Sequence, residues 1–184
     1  QATHTAELAI RFGRKAKNVI DSKEYQELFK TKLQEDSKAA GRWETKQGGE
    51  YFAAGVGGAI TGRGADLLII DDPHSEQDAM SKDLLEKAYE WYTSGARQRL
   101  QPGGKIVVVM TRWSTKDLTA KLIASQTEAK ADQWHVVEFP AIMDNGPVWP
   151  EYWSAEELEK VKAVLPNAKW NAQWMQNPTS EEGA

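Results

Sequence analysis

Leu67-Leu68-Ile69-Ile70-Asp71-Asp72-Pro73 joins four aliphatic residues directly to two adjacent carboxylates. An apolar run without alternation is typical of a strand buried on both faces of a parallel sheet. The carboxylates would then follow the carboxyl end of the strand, where open α/β sheets bind their ligands. Two interpretations fit. One is a Walker B element, in which Asp71 holds Mg²⁺ and Asp72 positions the attacking water. The other is a strand that ends in an Asx-type turn with a helix-capping Asp.

Composition excludes several classes of protein. The 184 residues are enough for one domain with a sizeable core, and no apolar run approaches the ~18 residues of a membrane span. The absence of cysteine excludes disulfides and thiolate metal sites. A net charge of −4 means that a nucleic-acid partner would need a local basic patch. Because the chain begins at Gln1 without a methionine, we expect a fragment of a longer protein.

Apolar spacing along the chain predicts alternating helices and strands. Helices are predicted over 6–20 with Thr5 as N-cap, 24–29, 78–100, 115–124, 155–164 and 168–175, and strands over 51–56, 67–71, 106–110 and 134–139. Two capping-box patterns occur, Ser114 with Asp117 and Ser154 with Glu157. The apolar stripe of the long helix over 78–100 consists of Met80, Leu84, Ala88, Tyr92 and Ala96. A turn is predicted after this helix at Pro102-Gly103-Gly104, and a loop or an irregular hairpin over 30–49. The alternation predicts an α/β fold with a three-layer, mostly parallel sheet.

The predicted sheet brings polar residues together at one edge. Asp71 and Asp72 end one apolar strand, while Thr111 and Arg112 follow the next one. Right-handed crossovers place the ends of parallel strands at the same edge, so we expect these side chains to converge. Thr111 and Arg112 either sense a phosphate or contact the acids, or they close the strand with a salt bridge.

A glycine-rich loop precedes the central strand. Gly57, Gly58, Gly62 and Gly64 allow close backbone approach, but the loop leads into a strand and carries no lysine, unlike a phosphate-binding loop. The phosphate-binding pattern Gly-x-x-x-x-Gly-Lys-Ser/Thr is missing from the whole chain. Arg63 in this loop either reaches phosphate oxygens, in its own or a neighbouring subunit's site, or is a surface arginine on a tight turn.

A series of short motifs, in this order, resembles the bacteriophage terminase large subunit, the DNA-packaging motor of tailed phages. The motifs are Ala2-Thr3-His4-Thr5 and Arg11-Phe12-Gly13-Arg14 in the predicted opening helix, Gly55 to Asp66, Leu68 to Pro73, Met110-Thr111-Arg112-Trp113 with Asp117-Leu118, Phe139 to Ile142, Val148-Trp149-Pro150 and Gln176-Asn177-Pro178. The resemblance extends over nearly the whole chain.

The resemblance implies an incomplete P-loop NTPase core of the additional-strand type, with ATP and Mg²⁺, that drives duplex DNA into a procapsid in the host cytoplasm. It implies Asp71 as the metal-site acid, Asp72 in place of the family's usual catalytic Glu, Arg63 as a finger acting in trans, and Thr111 and Arg112 as the coupling motif. The implied partners are double-stranded DNA, the small subunit, the portal protein and further copies in a ring, with no membrane.

The resemblance also implies a domain division. Residues 1–175 would form a partial ATPase domain, and 176–184 would begin the linker to a nuclease domain. The phosphate-binding loop would lie upstream of Gln1.

Three alternatives remain open on the sequence alone. A helicase-like ATPase core shares the Walker B logic. A metal-dependent nuclease would use the Asp pair together with further carboxylates, for which Asp66 and Glu138 are the candidates. The third is a folded fragment that binds partners and hydrolyses nothing.

Overall fold

The computed structural model describes residues 1–60 and 62–179. Thr61 of the glycine-rich loop and residues 180–184 of the predicted linker lie outside the described residues. The chain divides into two compact units, the first made of 1–75 and 86–109 and the second of 76–85 and 110 onward. No helix in the described part of the chain is long and apolar enough to cross a membrane.

The elements follow one another as strands and mostly short helices. In chain order they are β1 (Ala2–Thr3), α1 (Ala6–Ile20), α2 (Lys23–Leu28), β2 (Leu33–Ala39), β3 (Arg42–Thr45), β4 (Glu50–Phe52), β5 (Ala54–Gly55), β6 (Ala65–Asp71), α3 (Glu76–Ala79), α4 (Lys82–Trp91), a π-helix (Tyr92–Ala96), a 3₁₀ turn (Arg97–Arg99), β7 (Leu100–Val109), α5 (Leu118–Ser125), β8 (Ile142–Met143), β9 (Gly146–Pro147), α6 (Ala155–Val164), α7 (Asn167–Lys169) and a second π-helix (Trp170–Trp174).

The first unit is organised around a parallel sheet of four strands in the order β5-β1-β6-β7. This confirms the predicted α/β class and the parallel sheet. In β6 and β7, Leu68 pairs with Ile106 and Asp71 pairs with Val109. Because parallel strands in register end together, the carboxylate end of β6 and the end of β7 lie at the same edge of the sheet.

Only one face of the central strand is buried. Ile70 is fully buried and Leu68 is 8% exposed, whereas Leu67 is 53% exposed. Val107 and Val109 of the neighbouring strand are also exposed. The expectation of burial on both faces is therefore wrong for this chain, because no described element of the first unit covers the face that carries Leu67. Side chains two residues apart share a face, so Asp71 ends this exposed apolar surface.

A second, antiparallel sheet holds β2, β3 and β4, with an irregularity between Leu33 and Lys38. The irregular hairpin predicted within 30–49 is therefore correct. The single strand predicted over 51–56 is wrong: its first part is β4, in this sheet, and its second part is β5, in the parallel sheet. Ala53 separates them and donates its N–H to the carbonyl of Gly41, 2.8 Å away.

Helix α1 begins where the sequence predicts, with the Thr5 side chain accepting a hydrogen bond from the Leu8 N–H. The helix packs closely against the antiparallel sheet at Gly13. The Trp43 indole donates a 3.0 Å hydrogen bond to the Gly13 carbonyl, and the Trp43 ring stacks on Tyr51 at 5.2 Å. This approach is close because glycine has no side chain.

We expect Gly13→Ala to destabilise the protein although alanine favours helix. A Cβ at position 13 would lie 2.6 Å from the Ala40 carbonyl oxygen and would collide with the Tyr51 ring. Overpacking of this kind costs about 1–3 kcal/mol, against a helix-propensity gain of about 1 kcal/mol. Urea unfolding should show a lower midpoint. In the control Gly95→Ala the new Cβ meets nothing closer than 3.9 Å, so an equal loss there would contradict this explanation.

The helix predicted over 78–100 is interrupted. Helix α3 ends at Ala79, and the Ser81 hydroxyl accepts a hydrogen bond from Leu84 at the start of α4. The restart changes the buried face: Met80 and Leu84 are exposed, and the buried side chains are Leu85, Ala88, Tyr92 and Ala96. The predicted turn at Pro102-Gly103-Gly104 is also wrong, because these residues lie within β7, where the register with β6 shifts.

The second unit has its own core of Ala141, Leu158 and Trp170. Helix α6 has the predicted bounds and its Ser154–Glu157 capping box, and the last helix predicted over 168–175 corresponds to α7 with the second π-helix. Residues 134–139 do not form the predicted strand. A strand exists only in a ladder with a partner, and no described strand pairs with this segment.

Candidate functional site

The two carboxylates sit where the central strand ends. Asp71 is the last residue of β6, and Asp72 adopts a left-handed backbone with φ of 44°. Aspartate is one of the few side chains that tolerate this conformation. The Asp72 N–H donates a 2.9 Å hydrogen bond to the Val109 carbonyl. The chain therefore turns at Asp72 while its backbone stays attached to β7.

His4 contacts the carbonyl group of Asp72 at this turn. Its backbone N–H donates to the Asp72 carbonyl at 3.0 Å, and its Nδ1 lies 3.1 Å from the same oxygen. His4 is not among the site residues predicted from the sequence. It belongs to the first resemblance motif, which precedes the helix predicted over 6–20, and Ala2 and Thr3 before it form a strand of the parallel sheet. A two-residue strand carries no periodicity by which it could be found.

Asp71 lies at one end of a series of polar contacts that runs through Gln1 to Tyr51. Its Oδ2 accepts a 3.3 Å hydrogen bond from the Gln1 side-chain amide, and the Tyr51 hydroxyl lies 3.1 Å from the Gln1 Oε1 and 2.8 Å from the Ala9 carbonyl. Burial raises the pKa of Asp71, the negative charge of Asp72 raises it further, and the Gln1 hydrogen bond opposes both. Burial and the charge of Asp71 raise the pKa of Tyr51 to about 12, so Tyr51 is neutral near pH 7.

The raised pKa of Asp71 predicts a pH-dependent stability. The folded state holds the Asp71 proton more tightly than the unfolded chain, so stability falls as pH rises from the ordinary carboxyl value of about 4 through the raised pKa. Asp71→Asn should therefore have a higher melting temperature than the wild type at pH 7. The difference should vanish below about pH 4, where Asp71 is protonated in both states.

Thermal unfolding followed by circular dichroism at pH 3.5 and pH 7 measures this effect. The control is Asp66→Asn, on an exposed carboxylate of the same strand, which should match the wild type at both values. A melting difference for Asp71→Asn that is equal at both pH values would contradict the prediction.

The carboxylate pair suits a metal ion delivered with a ligand. Among the described residues no group of three or more His, Cys, Asp or Glu side chains could hold a metal ion. Mg²⁺ in nucleotide sites typically takes only one or two carboxylates and fills its octahedron with water and phosphate oxygens. Asp66 cannot complete an all-protein site, because it stands five positions before Asp71 in the same strand, which is roughly 16 Å away. This weakens the nuclease interpretation.

Arg63 is anchored within the first unit. Its guanidinium forms an ion pair with Glu50 and lies over the Phe52 ring, 4.5 Å from the centroid. Arg42 also binds Glu50, at 3.1 Å. The structure thus places the Arg63 guanidinium on the β4 strand of its own chain. A role in a neighbouring subunit's site would require Arg63 to leave Glu50.

Arg112 belongs to a buried polar cluster of the second unit. Its Nε lies 2.9 Å and 3.2 Å from the two carboxylate oxygens of Asp117, which is fully buried. Asp117 also accepts hydrogen bonds from the N–H groups of Trp113, Ser114 and Ala120. Asp117, and not Ser114, is therefore the N-cap of α5, which begins at Leu118 instead of 115. The ion pair corresponds to the salt-bridge alternative for Arg112.

Gln176 attaches the end of the second unit to the same cluster. Its Oε1 accepts a 3.2 Å hydrogen bond from the Arg112 N–H, and its Nε2 donates to the Gln173 carbonyl at 2.7 Å. Gln176 has a left-handed φ of 56°, which is uncommon for a side chain of this length. From the sequence, Gln176 is predicted only as the first residue of a linker. Thr111 and Arg112 belong to the second unit and the two acids to the first, so their convergence stays a prediction.

Comparison with protein-family models finds no match to this chain, and a search of curated proteins finds none either. The likeness to terminase large subunits therefore rests on the motifs quoted above.

Proposed function

We propose that this chain is the Walker B half of the ATPase core of a terminase large subunit, which hydrolyses ATP to drive duplex DNA into a procapsid. One observation carries the proposal. Adjacent carboxylates end a strand of an all-parallel sheet, at the edge where the neighbouring strand also ends. Ligands bind at this edge in open α/β sheets.

The two acids have different roles in the proposal. Asp71 binds Mg²⁺, whose positive charge offsets the burial and repulsion that raise the pKa of this carboxylate. Bound Mg²⁺ would neutralise negative charge on the phosphates. Asp72 orients the attacking water. The hydrogen bonds of its backbone to His4 and Val109 hold the backbone position from which its short side chain extends.

The free edge of the sheet can accept a further strand that carries the phosphate-binding loop. Strand β7 is the last strand of the sheet, and its outer edge pairs with no described strand. A further parallel strand on this edge would bring the loop at its carboxyl end to the same side as Asp71. A helix after that loop would cover the exposed Leu67, Val107 and Val109. A phosphate-binding loop followed by its helix has this form.

The remaining roles follow from the same proposal. Arg63 leaves Glu50 to act on a neighbouring subunit in a ring, and Thr111 and Arg112 couple phosphate state to movement. The small subunit, the portal protein and duplex DNA are the partners, in the host cytoplasm. A helicase-like ATPase core is the second candidate, because it uses the same pair of acids.

Calorimetry with Mg·ATP tests the proposal on two proteins, this chain and a chain extended upstream by about 60 residues, roughly one βαβ unit with its lead-in. We expect binding by the extended chain and none by the chain as it stands. Asp71→Asn in the extended chain is the control, and it should lose the dependence of ATP affinity on Mg²⁺. Failure of the extended chain to bind would overturn the proposal.

A further inference from the structure

The second unit carries a surface of exposed aromatic rings. Trp149 is 57% exposed and Tyr152 is 63% exposed, and their rings stack with centroids 4.8 Å apart. Tyr152 also meets Trp153 edge to face at 5.7 Å. We call Trp149, Tyr152 and Trp153 the aromatic platform. Large exposed rings of this kind are typical of interaction sites, since binding a partner removes their apolar surface from water.

The platform is rigidly supported. Trp153 contacts Trp174 edge to face at 5.3 Å, and Trp174 stacks on the buried Trp170 at 5.6 Å. The N–H groups of Tyr152 and Trp153 both donate to the Trp149 carbonyl, at 3.1 Å and 2.9 Å. The exposed rings therefore stand on the core of the unit and not on an independent loop. Prearranged rings lose little conformational freedom when a partner binds.

A small cavity adjoins the platform through Trp153. It has a volume of about 180 Å³ and is lined by Phe139, Ala141, Val148, Trp153, Leu158, Gln173, Trp174 and Gln176. Sites for drug-sized molecules are about 300–1,000 Å³, so this cavity suits one or two side chains instead. The Gln173 side-chain amide lines it and forms no hydrogen bond with another described residue, so it can bind the backbone of a ligand.

The sequence segment that carries the platform is acidic. From Gln133 through Glu159 the chain has six carboxylates and no lysine or arginine. Asp144 precedes the platform in sequence and Glu151 lies between its Trp149 and Tyr152; both are exposed, and neither pairs with a described cation. Lys160, the first basic residue after this stretch, is held by Glu156 at 2.7 Å. A partner with basic residues is therefore attracted, whereas nucleic acid is repelled.

We propose that the aromatic platform and its cavity bind a basic, proline-rich segment of a partner protein in the polyproline II conformation. Aromatic grooves are the usual receptors of such segments, because proline rings pack on aromatic faces. The segment has no internal hydrogen bonds, so its carbonyls are available to a donor such as Gln173. Arginine or lysine flanking the prolines meets Asp144 and Glu151. The proposal does not depend on ATP hydrolysis.

Calorimetric titration of the protein with a synthetic peptide tests this proposal. The probe is a peptide of about twelve residues, with a Pro-x-x-Pro core and arginines at both ends, which spans roughly 37 Å in this conformation. We expect saturable binding that weakens at least about tenfold in Trp149→Ala, a loss typical of an aromatic hot spot. Glu151→Gln and a peptide with glutamine in place of arginine should each weaken binding by a smaller factor.

The matched control is Phe29→Ala. Phe29 is 53% exposed and packs on Tyr25 at 4.7 Å, but it belongs to the first unit, whereas the platform belongs to the second. It should bind the peptide like the wild type. Absence of binding, equal binding by Trp149→Ala, or binding that ignores the arginines would each overturn the proposal. Self-association lost in Trp149→Ala, without peptide binding, would replace the partner with a second copy.

Discussion

Asp72→Asn in a full-length protein that carries the phosphate-binding loop should abolish ATP turnover and leave ATP binding intact. Positioned acids and bases contribute about 10²–10⁴-fold to a rate, and we expect a loss of kcat in that range. Asparagine keeps the size of the side chain and tolerates the left-handed backbone with φ of 44°. The hydrogen bonds of residue 72 to His4 and Val109 use only its backbone, so they persist. The substitution therefore removes the negative charge and keeps these two backbone hydrogen bonds.

The measurement is steady-state ATP hydrolysis together with calorimetric ATP affinity. Asp66→Asn is the matched control, because it removes a carboxylate from the far end of the same strand. It should retain the wild-type rate. Turnover by Asp72→Asn at more than a tenth of the wild-type rate would rule out Asp72 as the water-positioning acid.

The largest loss of stability is expected from Asp117→Ala. Asp117 is fully buried and accepts hydrogen bonds from three backbone N–H groups and from Arg112, whose side chain is only 14% exposed. Removing one partner of a buried ion pair costs about 3–5 kcal/mol, because the other charge stays buried without compensation. Loss of the N-cap of α5 acts in the same direction. Since the free energy of unfolding of such proteins is about 5–15 kcal/mol, this substitution could remove a large part of it.

Urea unfolding measures the effect of Asp117→Ala, and Ser154→Ala is its control. Ser154 caps α6 at an exposed position, so its loss should cost about 1 kcal/mol, the typical value for an N-cap. Adding Arg112→Met to Asp117→Ala should recover part of the loss, because no unpaired charge then remains. A loss in Asp117→Ala no greater than that in Ser154→Ala would show that the ion pair does not stabilise the fold.

Two helices whose caps lie beside them in sequence were predicted accurately, whereas α5 begins at Leu118 instead of 115. Helix α1 with its Thr5 cap and helix α6 with its capping box have the predicted bounds, because a cap and its helix lie within a few residues. The apolar run before Asp71 correctly predicted a strand of a parallel sheet. The prediction of one helix over 78–100 was wrong for a local reason, because Ser81 caps a new helix inside an otherwise helical pattern.

The sequence by itself determined the α/β class, the parallel sheet and the position of the acids at the end of its central strand. Only the tertiary structure decided which strands pair: it recruited Ala2–Thr3, divided 51–56 between two sheets and left 134–139 without a described partner. It also placed His4 on Asp72 and Arg112 on Asp117. Helix hydrogen bonds close within four residues, so local sequence specifies them. A strand takes its partner from distant parts of the chain, and that choice depends on how the whole fold packs.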